Sequence, residues 1–105
     1  MSKTQVLLLF GGQSAEHEVS VVSARSVCQA IDADRYEVIR VGISRTGQWL
    51  LENGEVSLLE QSEISDANGR PVQLGAGQRD LVGLDGNPVR NAAFDVVFPL
   101  LHGPR

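Results

Sequence analysis

The sequence contains very little lysine, cysteine or aromatic residue, and each scarcity excludes a class of protein. Lys3 is the only lysine among 105 residues, and 13 acidic side chains outnumber nine basic ones, which disfavours general binding to nucleic acid. Enzymes that handle nucleotides often place a lysine on the phosphates, and the interior of this chain offers none. The single cysteine, Cys28, excludes an internal disulfide or a zinc site of several thiolates, and we interpret it as a small packing residue.

Long apolar runs are missing as well. No stretch approaches the ~20 apolar residues of a membrane span, and the amino terminus lacks a basic segment followed by an apolar run. We therefore expect a cytoplasmic protein without membrane contact. The length allows one compact domain with little room for a fully enclosed site, so elaborate chemistry would have to be shared with another domain.

The first half of the sequence predicts a strand, a helix and a second strand. Residues 6–10 form an apolar run typical of a strand buried on both faces, and Gly11-Gly12 ends it. Ser14 is a suitable N-cap for a helix over about 15–31, with Glu16 and Glu18 in its first turn. Residues 36–43 predict the second strand, which completes a βαβ unit. The helix face predicted to meet the sheet contains Val19, Val22, Ser23, Ser26, Val27 and Ala30.

The second half predicts a weaker pattern and one further buried strand. Residues 49–51 indicate a short antiparallel addition, and residues 52–93 a loop-rich excursion with one or two hairpins, signalled by Asp85-Gly86. Residues 95–101 predict a buried strand, and the sequence stops in the loop that follows it, so we expect a truncated chain. The predicted fold class is α/β, a Rossmann-like three-layer domain with a mostly parallel sheet.

Three features of this pattern could carry chemistry. Gly11-Gly12 before a helix could bind an anion through free backbone N–H groups, or could be only a tight turn. Glu16 could accept hydrogen bonds from an ammonium group, or could simply favour the helix dipole. His102 could reach a ligand or could be a loop histidine without a role. Because Glu16 and His102 both follow predicted parallel strands, we expect them to converge in one crevice, where they could orient a small zwitterion.

The segment Phe10–Ser20 resembles the amino-terminal motif of D-alanine–D-alanine ligases. The resemblance continues through Ser23-Ala24-Arg25, Val41-Gly42-Ile43 and Gly47-Gln48-Trp49, and returns in 95–104. It implies that residues 1–105 are the amino-terminal substrate-binding α/β domain that precedes two ATP-grasp lobes, which this chain lacks. Such ligases join two D-alanines with ATP and Mg²⁺ for peptidoglycan, through an acyl phosphate of the first D-alanine.

The resemblance also implies roles for individual residues. Glu16 matches the glutamate that holds the ammonium of the first D-alanine, Val19 lies beside that subsite, and His102 belongs to the same substrate region. It implies that ATP and Mg²⁺ are bound mainly by residues absent from this chain, so no metal ligand is predicted here. It further implies a homodimer, and it predicts that residues 1–105 alone make no dipeptide.

Two other functions remain open from the residues alone. One is a stand-alone α/β module that binds a small molecule without catalysis. The other is an interaction domain whose apolar surface pairs with another copy. The sequence that follows Arg105 in the source gene would separate a ligase from a module.

Overall fold

A computed structural model describes residues 3–12, 17–52, 58, 64, 69–75, 77, 79–87, 89 and 92–100. These residues form one α-helix and a six-stranded sheet. The elements are β1 (Thr4–Gly11), α1 (His17–Ala30), β2 (Tyr36–Ile43), β3 (Trp49–Leu51), β4 (Arg70–Leu74), β5 (Leu81–Gly83) and β6 (Val96–Leu100).

The sheet has the strand order β5-β4-β3-β2-β1-β6 and is mixed. β1 pairs in parallel with β2 on one side and with β6 on the other. The remaining pairings, β2 with β3, β3 with β4 and β4 with β5, are antiparallel. The predicted α/β class is confirmed, although the parallel character is confined to three strands. The described residues place a helix on one face of the sheet only, so the predicted third layer is not among them.

The predicted βαβ unit is confirmed, with the second strand over the predicted residues. β1 lies at the centre of the parallel part, and its residues from Val6 to Gly11 are buried, as the uninterrupted apolar run predicts. Alternate side chains of β1 enter two separate apolar clusters: Leu8 and Phe10 face α1, and Leu7 and Leu9 face away from it. Burial of each such side chain contributes about 1.5–3 kcal/mol to folding.

The prediction of which face of the helix meets the sheet is wrong by about one residue position. Val19 and Val22 are 50% and 54% exposed, whereas Ser20, Val21 and Ala24 are fully buried against the sheet. Serine and alanine on this face let the helix approach the strands closely, and the Ser20 hydroxyl finds hydrogen-bond partners there. Hydrophobicity alone ranks the two valines above them.

The prediction that the last strand is buried is also wrong for the described residues. β6 is an edge strand of the sheet, and Val96, Val97 and Phe98 are 49%, 45% and 41% exposed. Pro99 does not interrupt it, because a strand at an edge tolerates a residue without an N–H group. The start of β6 is held to β1 by Asp95, whose carboxylate accepts from the Gln5 N–H at 2.8 Å and whose own N–H donates to the Gln5 carbonyl.

The antiparallel part agrees with the predicted addition and excursion. β3 is the predicted 49–51 strand, and the turn before it places Gly47 at a φ of 93°. β4 and β5 form a hairpin across residues 75–80. Asp85-Gly86 forms a turn directly after β5 instead of joining two strands: the Gly83 N–H donates to the Asn87 carbonyl, and Gly86 has a φ of 85°. In the described ranges, no helix is long and apolar enough to span a bilayer.

Candidate functional site

The carboxyl ends of β1 and β6 meet at one edge of the sheet. Phe10 is in register with Leu100, so the last rung of this parallel pair lies where both strands end. The chain leaves β1 for α1 and then β2, which lies on the other side of β1 from β6. In open α/β sheets, ligands bind beyond the carboxyl ends of the strands. The parallel arrangement expected for the first and last strands is therefore confirmed.

The Gly11-Gly12 pair turns the chain out of β1 at this edge. The φ angles of the two glycines are 91° and 101°, in the left-handed region that residues with a Cβ rarely adopt. The Gly12 N–H donates to the Ile43 carbonyl at 2.7 Å, which fixes the turn to the end of β2. The Gly12 N–H is thus engaged by backbone, which supports the tight-turn interpretation of the pair at that position.

Ser20 of α1 joins the two strand ends. Its hydroxyl accepts a hydrogen bond from the Gly11 N–H at 2.9 Å and donates one to the Leu100 carbonyl oxygen. The side chain is fully buried, so water does not compete for these bonds. Sequence reasoning missed this residue. The signal that could have found it is its place with Val21, Ala24 and Cys28 on a helical stripe of small side chains.

The first turn of α1 carries an exposed ion pair beside this edge. Glu18 Oε1 lies 3.2 Å from Arg45 Nη2, and Arg45 follows the end of β2 by two residues. Both side chains are well exposed, and such surface pairs contribute about 0–1 kcal/mol. Glu18 also lies in the first turn, where the helix dipole favours a carboxylate, as predicted.

Of the three predicted site residues, only Val19 lies among the described residues. It is in the first turn of α1, next to Ser20, and half of its side chain surface is exposed. Glu16 and His102 lie outside the described residues. In the sequence, Glu16 falls between the end of β1 and the start of α1, and His102 follows the end of β6 by two positions. Both therefore remain predictions.

The described polar groups near the parallel strands were compared with the ligand sets of metal centres. In the parts of the chain that the structure describes, no three His, Cys, Asp or Glu side chains are grouped as metal ligands.

Cys28 is half-buried on α1, and burial raises the pKa of its thiol, although the nearby Arg40 guanidinium opposes this shift. A thiol with a raised pKa is a poor nucleophile near neutral pH, which fits a packing residue.

A second depression lies away from the strand ends. An open groove of about 600 Å³ lies between the turn at Thr46–Trp49 and β4, and Leu84, which directly follows β5, also lines it. Of the predicted site residues, the described one, Val19, does not line it. The strand-end edge, with Ser20 and Val19, is therefore the candidate site.

Comparison with protein families shows which family contains a domain of this sequence. Residues 5–105 match the family described as the D-ala D-ala ligase N-terminus. The chain belongs to this ligase family. The match extends over almost the whole chain, including both strands that form the candidate site.

Individual ligases agree with this assignment. The chain is 42% identical over 106 residues to a D-alanine–D-alanine ligase from Thermoanaerobacter sp. (strain X514), covering 99% of this chain and 29% of that ligase. It is 45% identical over 112 residues to one from Arthrobacter sp. (strain FB24), covering 98% and 29%. The chain thus spans less than a third of the length of the curated relatives it matches.

Solved ligase structures share the fold. The chain superposes on the VanG D-Ala:D-Ser ligase from Enterococcus faecalis with a TM-score of 0.75 and 28% identity, covering 96% of this chain and 29% of that one. The D-alanine–D-alanine ligase from Coxiella burnetii gives a TM-score of 0.71 and 29% identity, with the same coverage.

Proposed function

We propose that this chain is the amino-terminal, substrate-binding domain of a longer D-alanine–D-alanine ligase. The observation that carries the proposal is the family match over residues 5–105, and the parallel pairing that brings the carboxyl ends of β1 and β6 together supports it. The complete enzyme would join two D-alanines at the expense of ATP in the cytoplasm, for peptidoglycan synthesis. We further propose that it acts as a homodimer, without nucleic acid or membrane partners.

The proposed task of this domain is to hold the first D-alanine. Glu16 would accept hydrogen bonds from its ammonium group, Val19 would border the subsite, and His102 would contribute from the end of β6. The choice of Glu16 is supported by its place in the family motif and by its position in the sequence between the end of β1 and the start of α1. Holding the ammonium orients the carboxylate that must react, which is a contribution of positioning.

The described residues do not offer a site for Mg²⁺. Magnesium is held by carboxylates together with substrate phosphates, and no group of three His, Cys, Asp or Glu side chains occurs among the described residues. The sole lysine, Lys3, directly precedes β1 and so lies at the end of that strand opposite to the candidate site. We therefore propose that ATP and the metal bind mainly to residues outside this chain.

The identity of the second amino acid is also assigned to the rest of the enzyme. The fold of this chain is shared with a ligase named for D-Ala and D-Ser as well as with ligases named for D-alanine alone. Both kinds of ligase are named for D-alanine as one substrate. A domain that they have in common is therefore suited to bind the first D-alanine. The second subsite would then differ elsewhere.

Substitution of Glu16 tests the proposed role in the complete enzyme. Glu16→Gln removes the charge that attracts the ammonium, and loss of a charged hydrogen-bond partner costs about 1.5–3 kcal/mol, or roughly 10- to 150-fold in kcat/KM for the first D-alanine. The KM for ATP should stay within about twofold, since no phosphate contact is removed.

Glu18→Gln is the matched control, because Glu18 is an exposed carboxylate in the first turn of α1, two residues after Glu16. Glu18→Gln should leave the KM values for the first and the second D-alanine unchanged. Equal kinetics for Glu16→Gln and the unsubstituted enzyme would remove Glu16 from the mechanism.

A further inference from the structure

The hydroxyl of Ser20, a residue of α1, bonds to both β1 and β6 near the last residues that pair between them. Phe10 and Leu100 are the final paired residues of β1 and β6, and the Ser20 hydroxyl bonds to the Gly11 N–H and the Leu100 carbonyl at that point. The hydroxyl thus links three elements, the helix and both strand ends, through one atom. It adds a side-chain link to the backbone pairing of the two strands at the point where both of them end.

The surroundings make this link specific. Ser20 is fully buried, and its neighbours Val21 and Ala24 pack into the same face of the sheet. No buried side-chain polar atom in the described part of the chain lacks a partner. Removal of the hydroxyl would leave two backbone groups of the strand ends without this bridging partner, in a site where such a loss is costly.

The link also holds the two strand ends from which the segments assigned to the first D-alanine continue in the sequence. Gly11 precedes Glu16 by five residues, and Leu100 precedes His102 by two. A shift of about 1 Å in groups that orient a substrate can reduce rates by about 100-fold. The Ser20 bridge therefore fixes Gly11 and Leu100, the described residues nearest to both segments.

We propose that Ser20 is a positioning residue for the first D-alanine subsite, acting through its hydrogen bonds to Gly11 and Leu100. This inference rests on the proposed ligase function. It assigns no contact between Ser20 and the substrate, since its hydroxyl is already engaged by backbone on both sides.

The test is a steady-state comparison of variants of the complete ligase, in which the concentrations of D-alanine and ATP are varied and the constants of the two D-alanine sites are fitted from the shape of the D-alanine saturation curve. Ser20→Ala should raise the KM for the first D-alanine by about tenfold or more, while the KM values for the second D-alanine and for ATP change less than about twofold. Ser20→Thr retains the hydroxyl and should restore most of the loss. Ser26→Ala, at an exposed position of the same helix, is the matched control and should have no effect.

A second variant keeps the test decisive if Ser20→Ala does not fold, as judged by thermal unfolding. Ser20→Cys fills the same space with a weak donor and acceptor, and should show the same selective rise in KM. An unchanged KM for the first D-alanine in folded Ser20→Ala or Ser20→Cys would overturn the inference. An equal rise in the KM values for the first D-alanine, the second D-alanine and ATP would overturn it as well. Absence of dipeptide formation by the unsubstituted enzyme would instead overturn the ligase function itself.

Discussion

Gly42 of β2 lies directly beneath the side chain of Ile64. A Cβ atom at this position would stand 3.0 Å from Ile64 Cγ2 and 3.1 Å from its Cγ1, closer than ordinary contacts. Both residues are buried, so Ile64 has little room to move away. Overpacking of this kind costs about 1–3 kcal/mol. We predict that Gly42→Ala lowers the free energy of unfolding by this amount, as measured by urea denaturation.

Gly77 provides the control for this substitution. A Cβ at Gly77 would meet no heavy atom within 4 Å. Gly77→Ala should therefore leave the urea midpoint nearly unchanged. A midpoint for Gly42→Ala equal to that of Gly77→Ala would show that Ile64 does not constrain β2.

The partly buried thiol of Cys28 predicts that the stability of the protein depends on pH. Burial raises the pKa of the folded thiol above the ordinary value of about 8.5. Between the unfolded and folded pKa values the unfolded chain loses its proton first, so stability falls as the pH rises through this window. Urea midpoints measured from pH 8 to 10 should fall more for the natural chain than for Cys28→Ala. Parallel curves for the two proteins would contradict the shift.

Among elements, the junction of β2 and β3 depends on one carboxylate. Glu52 Oε2 lies 3.1 Å from Arg40 Nη1 of β2, and Glu52 Oε1 accepts from the Leu58 N–H at 2.9 Å. The Glu52 side chain is 18% exposed, so this pair is better shielded than a surface ion pair. The carboxylate thus ties the end of β3 to β2 and to Leu58 of the cluster beneath α1.

We predict that Glu52→Ala destabilises the protein by about 1–2 kcal/mol, since it removes two charge-assisted hydrogen bonds in a partly exposed setting. Glu37→Ala is the control, because Glu37 is an exposed glutamate on β2 itself. Thermal unfolding should separate the two variants by several degrees. Indistinguishable melting temperatures would show that the Arg40–Glu52 pair contributes nothing.

The same elements show where sequence reasoning succeeds. β2 and β3 occupy the predicted residues, because apolar runs bounded by turn residues mark strands directly. The face of α1 was predicted wrongly, because the buried Ser20 is stabilised by backbone groups of β1 and β6 that no local pattern reveals. The burial of β6 was predicted wrongly as well, because apolar sequence does not tell an edge strand from a central one.

For the whole molecule, the candidate site follows from topology more than from any single motif. Sequence order and parallel pairing place the ends of β1 and β6 together, as the two separated motifs predict. The bridge by Ser20 required the three-dimensional contacts. Glu16 and His102 lie outside the described residues, so their convergence stays a prediction.

The division of labour across the molecule gives a further prediction. This chain spans about 29% of its ligase relatives, and the described residues provide no group of metal ligands. Residues 1–105 alone should therefore form no D-alanyl-D-alanine with D-alanine, ATP and Mg²⁺, as measured by chromatography of the products. Dipeptide formation by purified residues 1–105 would show that the chain contains a complete active site.

Dipeptide formation by the product of the complete gene tests the central claim most directly. With D-alanine, ATP and Mg²⁺, we predict D-alanyl-D-alanine and one phosphate for each peptide bond formed. Failure of the purified, folded protein to form this dipeptide under these conditions would contradict the assignment of residues 1–105 to a D-alanine–D-alanine ligase.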